Sequence, residues 1–163
     1  MSESTHNQIA EQQSELAQDI ERLRQWGEEH PDRFAGLWFD NTAAEDGTGP
    51  VRMAIAVVGD TASVTGEVRL LVDHPDRVVV VAKRFTYQEL RRLQDEIAHA
   101  YMGQRPASVG TYVSAVGVDV LASKVHVSIS TNDDEFATAI MNRYGADRVR
   151  VEKNVRIYAR RKS

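Results

Sequence analysis

The chain has 163 residues, 42% hydrophobic and 27% charged, which is the balance of a globular protein able to bury a core in one ordinary domain or two small lobes. It has no cysteine, which excludes disulfides, thiol catalysis and cysteine-based metal sites and fits a reducing, cytoplasmic setting. There is also no apolar run of membrane-spanning length and no hydrophobic stretch of a secretion signal in "MSESTHNQIAEQQSE". The formal charge of −4 is uneven: residues 147–163 hold seven basic and two acidic groups, so this end carries +5 and the remaining residues −9.

In chain order, Ile9, Leu16, Ile20 and Leu23 recur at helical spacing and predict a helix over 9–26, with Gly27 placed as its capping glycine. Two strands follow, "FAGLWFD" (34–40) and "VRMAIAVVG" (51–59), joined by an acidic, glycine-bearing loop expected to be exposed and mobile. Leu37, Trp38 and Phe39 are consecutive and load both faces of the first strand. Either the strand lies between a helix layer and the other lobe, or Trp38 anchors a partner. A weaker helix over 62–72 puts Val64, Val68 and Leu71 on one side, and its Gly66 costs about 1 kcal/mol relative to alanine. "RVVVVA" (77–82), apolar at successive positions, reads as a central strand covered on both faces.

The order then restarts. "FTYQELRRLQDEIAHAY" is the best-marked helix, with Thr86 and Glu89 as a capping pair and a stripe of Leu90, Leu93, Ile97 and Tyr101. "VGTYVSAVGVDV" and "KVHVSIS" read as a hairpin, with Val125, Val127 and Ile129 facing in and Lys124, His126 and Ser128 facing out. "NDDEFATAIMNRYG" is a helix closed by Gly145, and "DRVRVE" is the last strand. Both halves thus run helix, strand, strand, helix, strand. The expected fold is α+β: two similar small lobes, 1–83 and 84–163, each with helices packed on a mainly antiparallel sheet and a split βαβ-like end.

"HPDR" occurs at 30–33 and 74–77, and a degenerate "GADR" at 145–148, each between a helical pattern and a strand. Proline fixes φ and aspartate bonds its own backbone, so these are turns that lead into strands, and replacing either histidine is expected to cost no more than about 0.5 kcal/mol. The five histidines are scattered without metal-ligand spacing. There is no GxSxG, no phosphate-binding glycine loop, and no aromatic RNA-stacking pattern; on "KVHVSIS" only His126 is a ring on the outer face. No cofactor and no catalytic residue are expected.

"FAGLWFD", "HPDRVVVV", "FTYQELRRLQDEI" and above all "VGVDVLASKVHVSI" resemble the prodomains of bacterial serine proteases of the alpha-lytic protease and streptogrisin type, over about 34–151. The resemblance implies a two-lobed folding template and inhibitor, in which a sheet of the second lobe pairs with the protease and the C-terminal tail occupies its cleft. Carried to this sequence, it points to Val116, Val118, Val120, Val125, Val127 and Ile129 on the sheet, and to a tail with Arg156, Tyr158, Arg160, Arg161 and Lys162. Two departures from that family, no signal peptide and no protease domain after Ser163, leave two expectations: a stand-alone relative with a different role, or a separated fragment. Taken together, the expectation is a non-enzymatic, cytoplasmic protein-binding module with another protein, a protease being the special case, as partner. Trp38 is a further contact candidate, no membrane is involved, and homo-oligomerisation is left open. The alternative is a weak nucleic-acid binder using the basic end.

Overall fold

The computed structural model describes residues 2–102, 111–131 and 134–154, and the chain forms two compact units, Met1–Gln88 and Glu89–Ser163. The boundary lies past the 83/84 junction expected from the sequence: the Tyr87 ring, edge-on to Phe34 at 6.1 Å, still belongs to the first unit. None of the described helices is long and apolar enough to cross a membrane.

In the first unit, α1 (Glu3–Glu15) and α2 (Ala17–Glu29) replace the single helix expected over 9–26. Leu16 alone leaves helical geometry, yet its N–H still bonds Gln12 O and its carbonyl accepts from Ile20 N, so the apolar stripe continues across the break. Ser2 caps the start through a bond from Thr5 N, satisfying one of the orphan amides of a first turn. Gly27 is not a cap, because α2 runs on to Glu29. A Cβ there would stand 2.6 Å from the Phe34 ring, so glycine is needed for close approach. β1 (Phe34–Asp40) leads to a loop that is not bare: it holds a helical turn, α3 (Thr42–Glu45), whose Ala44 packs on the core. β2 (Arg52–Val57), α4 (Thr61–Arg69, capped by Asp60) and β3 (Val78–Ala82) complete the unit. Leu71 does not join Val64 and Val68, because α4 ends first and leaves Leu71 exposed while Val72 turns inward.

The strand order is β1-β2-β3. β2, not the valine run, is therefore central: Met53 to Val57 are all buried, whereas Val79, Val80 and Val81 on the edge strand β3 are half-buried. Met53, Ile55 and Val57 meet Leu16, Leu23 and Trp26 of the helices and Val64 and Val68 of α4. Burying each such large side chain contributes about 1.5–3 kcal/mol, and this face holds the lobe together.

The second unit repeats the plan with α5 (Tyr87–Tyr101, starting at the end of the first unit), β4 (Tyr112–Asp119), β5 (Lys124–Ser130), α6 (Asp134–Tyr144) and β6 (Val149–Lys153) in sheet order β4-β5-β6. Each sheet is mixed rather than mainly antiparallel. Its first pair is antiparallel and its second parallel, and the parallel strands are direct neighbours, so the crossover is an unsplit βαβ unit. The physical cause is that α4 and α6 are long enough to carry the chain back to the same end of the sheet, which a hairpin cannot do.

The repeat extends to the register. Phe34 pairs with Val57 and Gly36 with Ala56, leaving Ala35 as a bulge; Val113 pairs with Ile129 and Ala115 with Ser128, leaving Ser114 in the same place. Lys83 N bonds Val57 O in one lobe and Asn154 N bonds Ile129 O in the other. Arg77 N to His74 O (3.0 Å) matches Arg148 N to Gly145 O (3.1 Å), so "HPDR" and "GADR" are equivalent turns, each opening the last strand. The first "HPDR" closes likewise, Arg33 N and Phe34 N both bonding His30 O.

Candidate functional site

Two groupings of polar side chains and one sheet edge are the candidates, and each has a definite geometry. The tightest is a buried carboxylate. Asp19 is 1% exposed. Its Oδ1 accepts from Asp73 N (2.9 Å) and Arg22 Nη1 (3.3 Å), and its Oδ2 from His74 N (3.0 Å) and His74 Nδ1 (2.8 Å). Burial pushes the Asp19 pKa up, but the bonds from the Asp73 amide and from His74 outweigh it, so the carboxyl lies below its ordinary value. Arg22 also reaches Leu71 O and the Asp73 carboxylate, so α2 is fastened to the turn before β3. An acid holding Nδ1 of an imidazole is half of a hydrolytic triad, but His74 makes no bond through Nε2 to a hydroxyl among the described residues. The four donors saturate Asp19 and make it structural. His74 is therefore more than a turn residue, contrary to the expectation from its sequence context.

The first "HPDR" has its own anchors. His30 stacks on Trp26 (4.4 Å) and donates from Nδ1 to Trp26 O, while Arg33 lies over the indole and forks onto Glu67, which also accepts from Trp26 Nε1. The Arg33 fork holds the Glu67 carboxyl below its usual value. On the other side of the lobe, Gln12 Oε1 accepts from Val51 N and Arg77 Nη2, and Arg77 Nε donates to Val51 O (2.6 Å). Arg33 thus ties α2 to α4, and Arg77 ties α1 to the residue before β2.

The second grouping lies on the outer face of the second sheet, where Ser128 Oγ stands 3.2 Å and Glu152 Oε2 3.1 Å from His126 Nε2. The three residue types match a triad but the geometry does not: both partners use the same nitrogen, so one proton cannot pass from serine through the ring to the acid. A shallow depression of about 400 Å³ beside α1 and α3, lined by Thr5, Gln8, Gln12 and Thr48, offers no titratable group. Among the described residues no three His, Cys, Asp or Glu side chains converge as a metal site.

The third candidate is the edge of that sheet. β5 is central, and Val125, Val127 and Ile129 are fully buried on the helix-covered face, so these three serve the core and not a partner. Val116 and Val118 of β4 lie on the same face, half-buried at its rim, and Val120 falls in the turn after β4. β4 itself is an edge strand, the longest of the described strands; no described strand pairs with its outer side, and its Val116 O accepts from Gln94 Nε2 (3.4 Å). Its outer face shows Ala115, Gly117 and Asp119, and a Cβ placed on Gly117 would meet nothing within 4 Å. By contrast β6, the other edge, carries Arg150, Glu152 and Lys153, the charges that usually protect an edge. Trp38, opposite Ala54 and on the face away from Leu37 and Phe39, is half-buried. Arg156, Tyr158, Arg160, Arg161 and Lys162 lie outside the described residues.

Asp19, His74, Gln12 and Arg77 were missed by sequence reasoning. One signal was present: Asp19 stands between Leu16 and Leu23 on the apolar stripe of its helix, where an acid must find partners. No protein-family model matches the chain, and no curated protein matches it.

Proposed function

We propose that the chain is a non-enzymatic protein-binding module that takes an extended segment of a partner protein as an added strand along β4. The observation that carries this is the outer edge of β4, with which no described strand pairs, an eight-residue strand with no lysine, arginine or proline and with small residues on its outer face. Strand addition needs main-chain groups free to pair and room for the newcomer's side chains. The small outer residues of β4 give the room, and an added strand would displace the long bond from Gln94 Nε2 to Val116 O (3.4 Å). The charged β6 edge and the short β3 edge, where Arg69 donates to Val78 O, are poorer templates. The carboxylate and histidine groupings are spent on structure, which favours binding over catalysis. The resemblance to protease prodomains makes a bacterial serine protease the first partner to try.

The test is backbone amide exchange in the full chain with and without such a protease. The amides of 115–119 should become protected, and affinity should change little with salt. Protection confined to other strands refutes the proposal. So does a steep loss of affinity, on the order of a thousandfold between low and moderate salt, which is the signature of phosphate contacts and of a nucleic-acid binder.

A further inference from the structure

The strand-addition proposal leaves open what the added strand must look like, and the outer face of the second sheet specifies it. Gly117 pairs with His126 across β4 and β5, and Asp119 pairs with Lys124. On this face Gly117 leaves a gap beside the imidazole, which Ser128 and Glu152 hold in place through Nε2. Strands in a sheet lie about 4.8 Å apart, so a residue added opposite Gly117 stands about two strand spacings from His126. Only a long flat side chain crosses that distance, and a glycine in the middle is what lets a ring lie over the backbone.

Two residues along, Asp119 accepts from Ala122 N through Oδ1 but has no cation partner among the described residues, because Lys124 Nζ is turned to Ala146 O. It is the only charge on β4 and sits on the same face as Gly117. A strand laid on this edge therefore meets a gap beside a ring and, next to it, an anion with no cation partner among the described residues.

We infer that the occupant of the β4 edge is an antiparallel extended segment carrying an aromatic residue opposite Gly117 and a lysine or arginine opposite Asp119. In the antiparallel sense the cation comes two places before the aromatic residue in the partner's sequence. This rests on the strand-addition proposal and narrows it to one class of segment. Antiparallel pairing is favoured because its ladder is somewhat the stronger per residue.

The test uses the full chain and short Thr/Val peptides with lysine and phenylalanine two places apart in that order. Replacing the phenylalanine by alanine should weaken binding by about three- to fivefold, the worth of one aromatic cross-strand pair. Gly117→Val fills the gap with a strand-favouring residue that meets no neighbour, and should erase that difference. Asp119→Asn keeps an acceptor for Ala122 N, and should abolish the advantage of the lysine peptide over its glutamate counterpart. Amide exchange separates the failures. If the β4 amides are protected equally by phenylalanine and alanine peptides, strand addition stands and the aromatic-and-cation rule falls. If no peptide protects β4, both fall. If the chain sediments as a dimer with its β4 amides protected and Tyr112→Ala returns it to a monomer, a second copy is the occupant and this inference is overturned.

Discussion

Replacing His74 by alanine should destabilise the first lobe by about 1–2 kcal/mol. The change removes one short bond to an ionised carboxylate, and bonds to charged groups contribute about 1.5–3 kcal/mol. Water recovers part of this, since the His74 side chain is 44% exposed. Asp19→Ala should cost more, about 3 kcal/mol or above, because it strands the Asp73 and His74 amides and the Arg22 guanidinium together. Urea unfolding followed by tryptophan fluorescence reads this lobe alone, because both tryptophans, Trp26 and Trp38, lie in the first unit. With a denaturant slope of about 1 kcal/mol per molar, the midpoint should fall by roughly 1–2 M for His74→Ala at unchanged slope. A change within about 0.5 kcal/mol would show that the histidine is a turn residue after all and that Asp19 is held by its other three donors.

Acid should act through the same carboxylate. The Asp19 pKa in the folded lobe lies below its ordinary 3.8, so its contribution is complete above the unfolded value and is lost as pH falls through the folded one. Asp19→Asn should therefore flatten the acid limb of stability against pH, and equal acid limbs would contradict the assignment. Gln12→Ala should cost about 1–3 kcal/mol by leaving the fully buried Val51 without an acceptor for its amide, whereas Gln12→Glu should cost clearly less in the same urea assay. Gly27→Ala should destabilise by about 1–3 kcal/mol through the clash with Phe34, while Gly66→Ala, in open space inside α4, should stabilise by about 0.5–1 kcal/mol. Thermal midpoints moving in the same direction for both glycine variants would refute the contrast.

The element order and the repeat were legible because they depend on local periodicity. Leu90, Leu93 and Ile97 mark α5, and the alternation of Val125, Val127 and Ile129 marks β5, and all six side chains are buried as their spacing predicts. Strand order was less legible. "RVVVVA" carries the stronger apolar run, but β2 is central because it pairs on both sides, a property of long-range pairing that no local pattern records. Gly27 looked like a cap because glycine there is consistent with either a positive φ or a close approach, and only the Phe34 ring decides between them. The surface candidates were misplaced for a related reason. Alternation in "KVHVSIS" shows which residues share a face but not whether helices cover it, so Val125, Val127 and Ile129 could stand for a binding face until α5 and α6 took that side.

The two lobes share one plan and differ in how their turns and outer faces are filled. At the turn before the last strand, the first lobe has His74, whose ring and amide reach Asp19, and the second has Gly145, with φ near +97° and no side chain to reach with. Between the first two strands, the first lobe carries a loop with its own helical turn, bonded through Asn41 to Gln13 of α1, whereas the second turns within Val120 to Ser123, with Ser123 in the left-handed region. The same sheet thus acquired side-chain fastenings in one copy and a plain turn in the other. On β1 the outer face holds Trp38 and is half-buried; at the matching register on β4 it holds Gly117, and the surface is open. Both β1 and β4 are edge strands, so what separates the copies is the face beside the edge, filled by Trp38 in one and left open at Gly117 in the other. The proposed choice of β4 as the strand-adding edge rests on that difference.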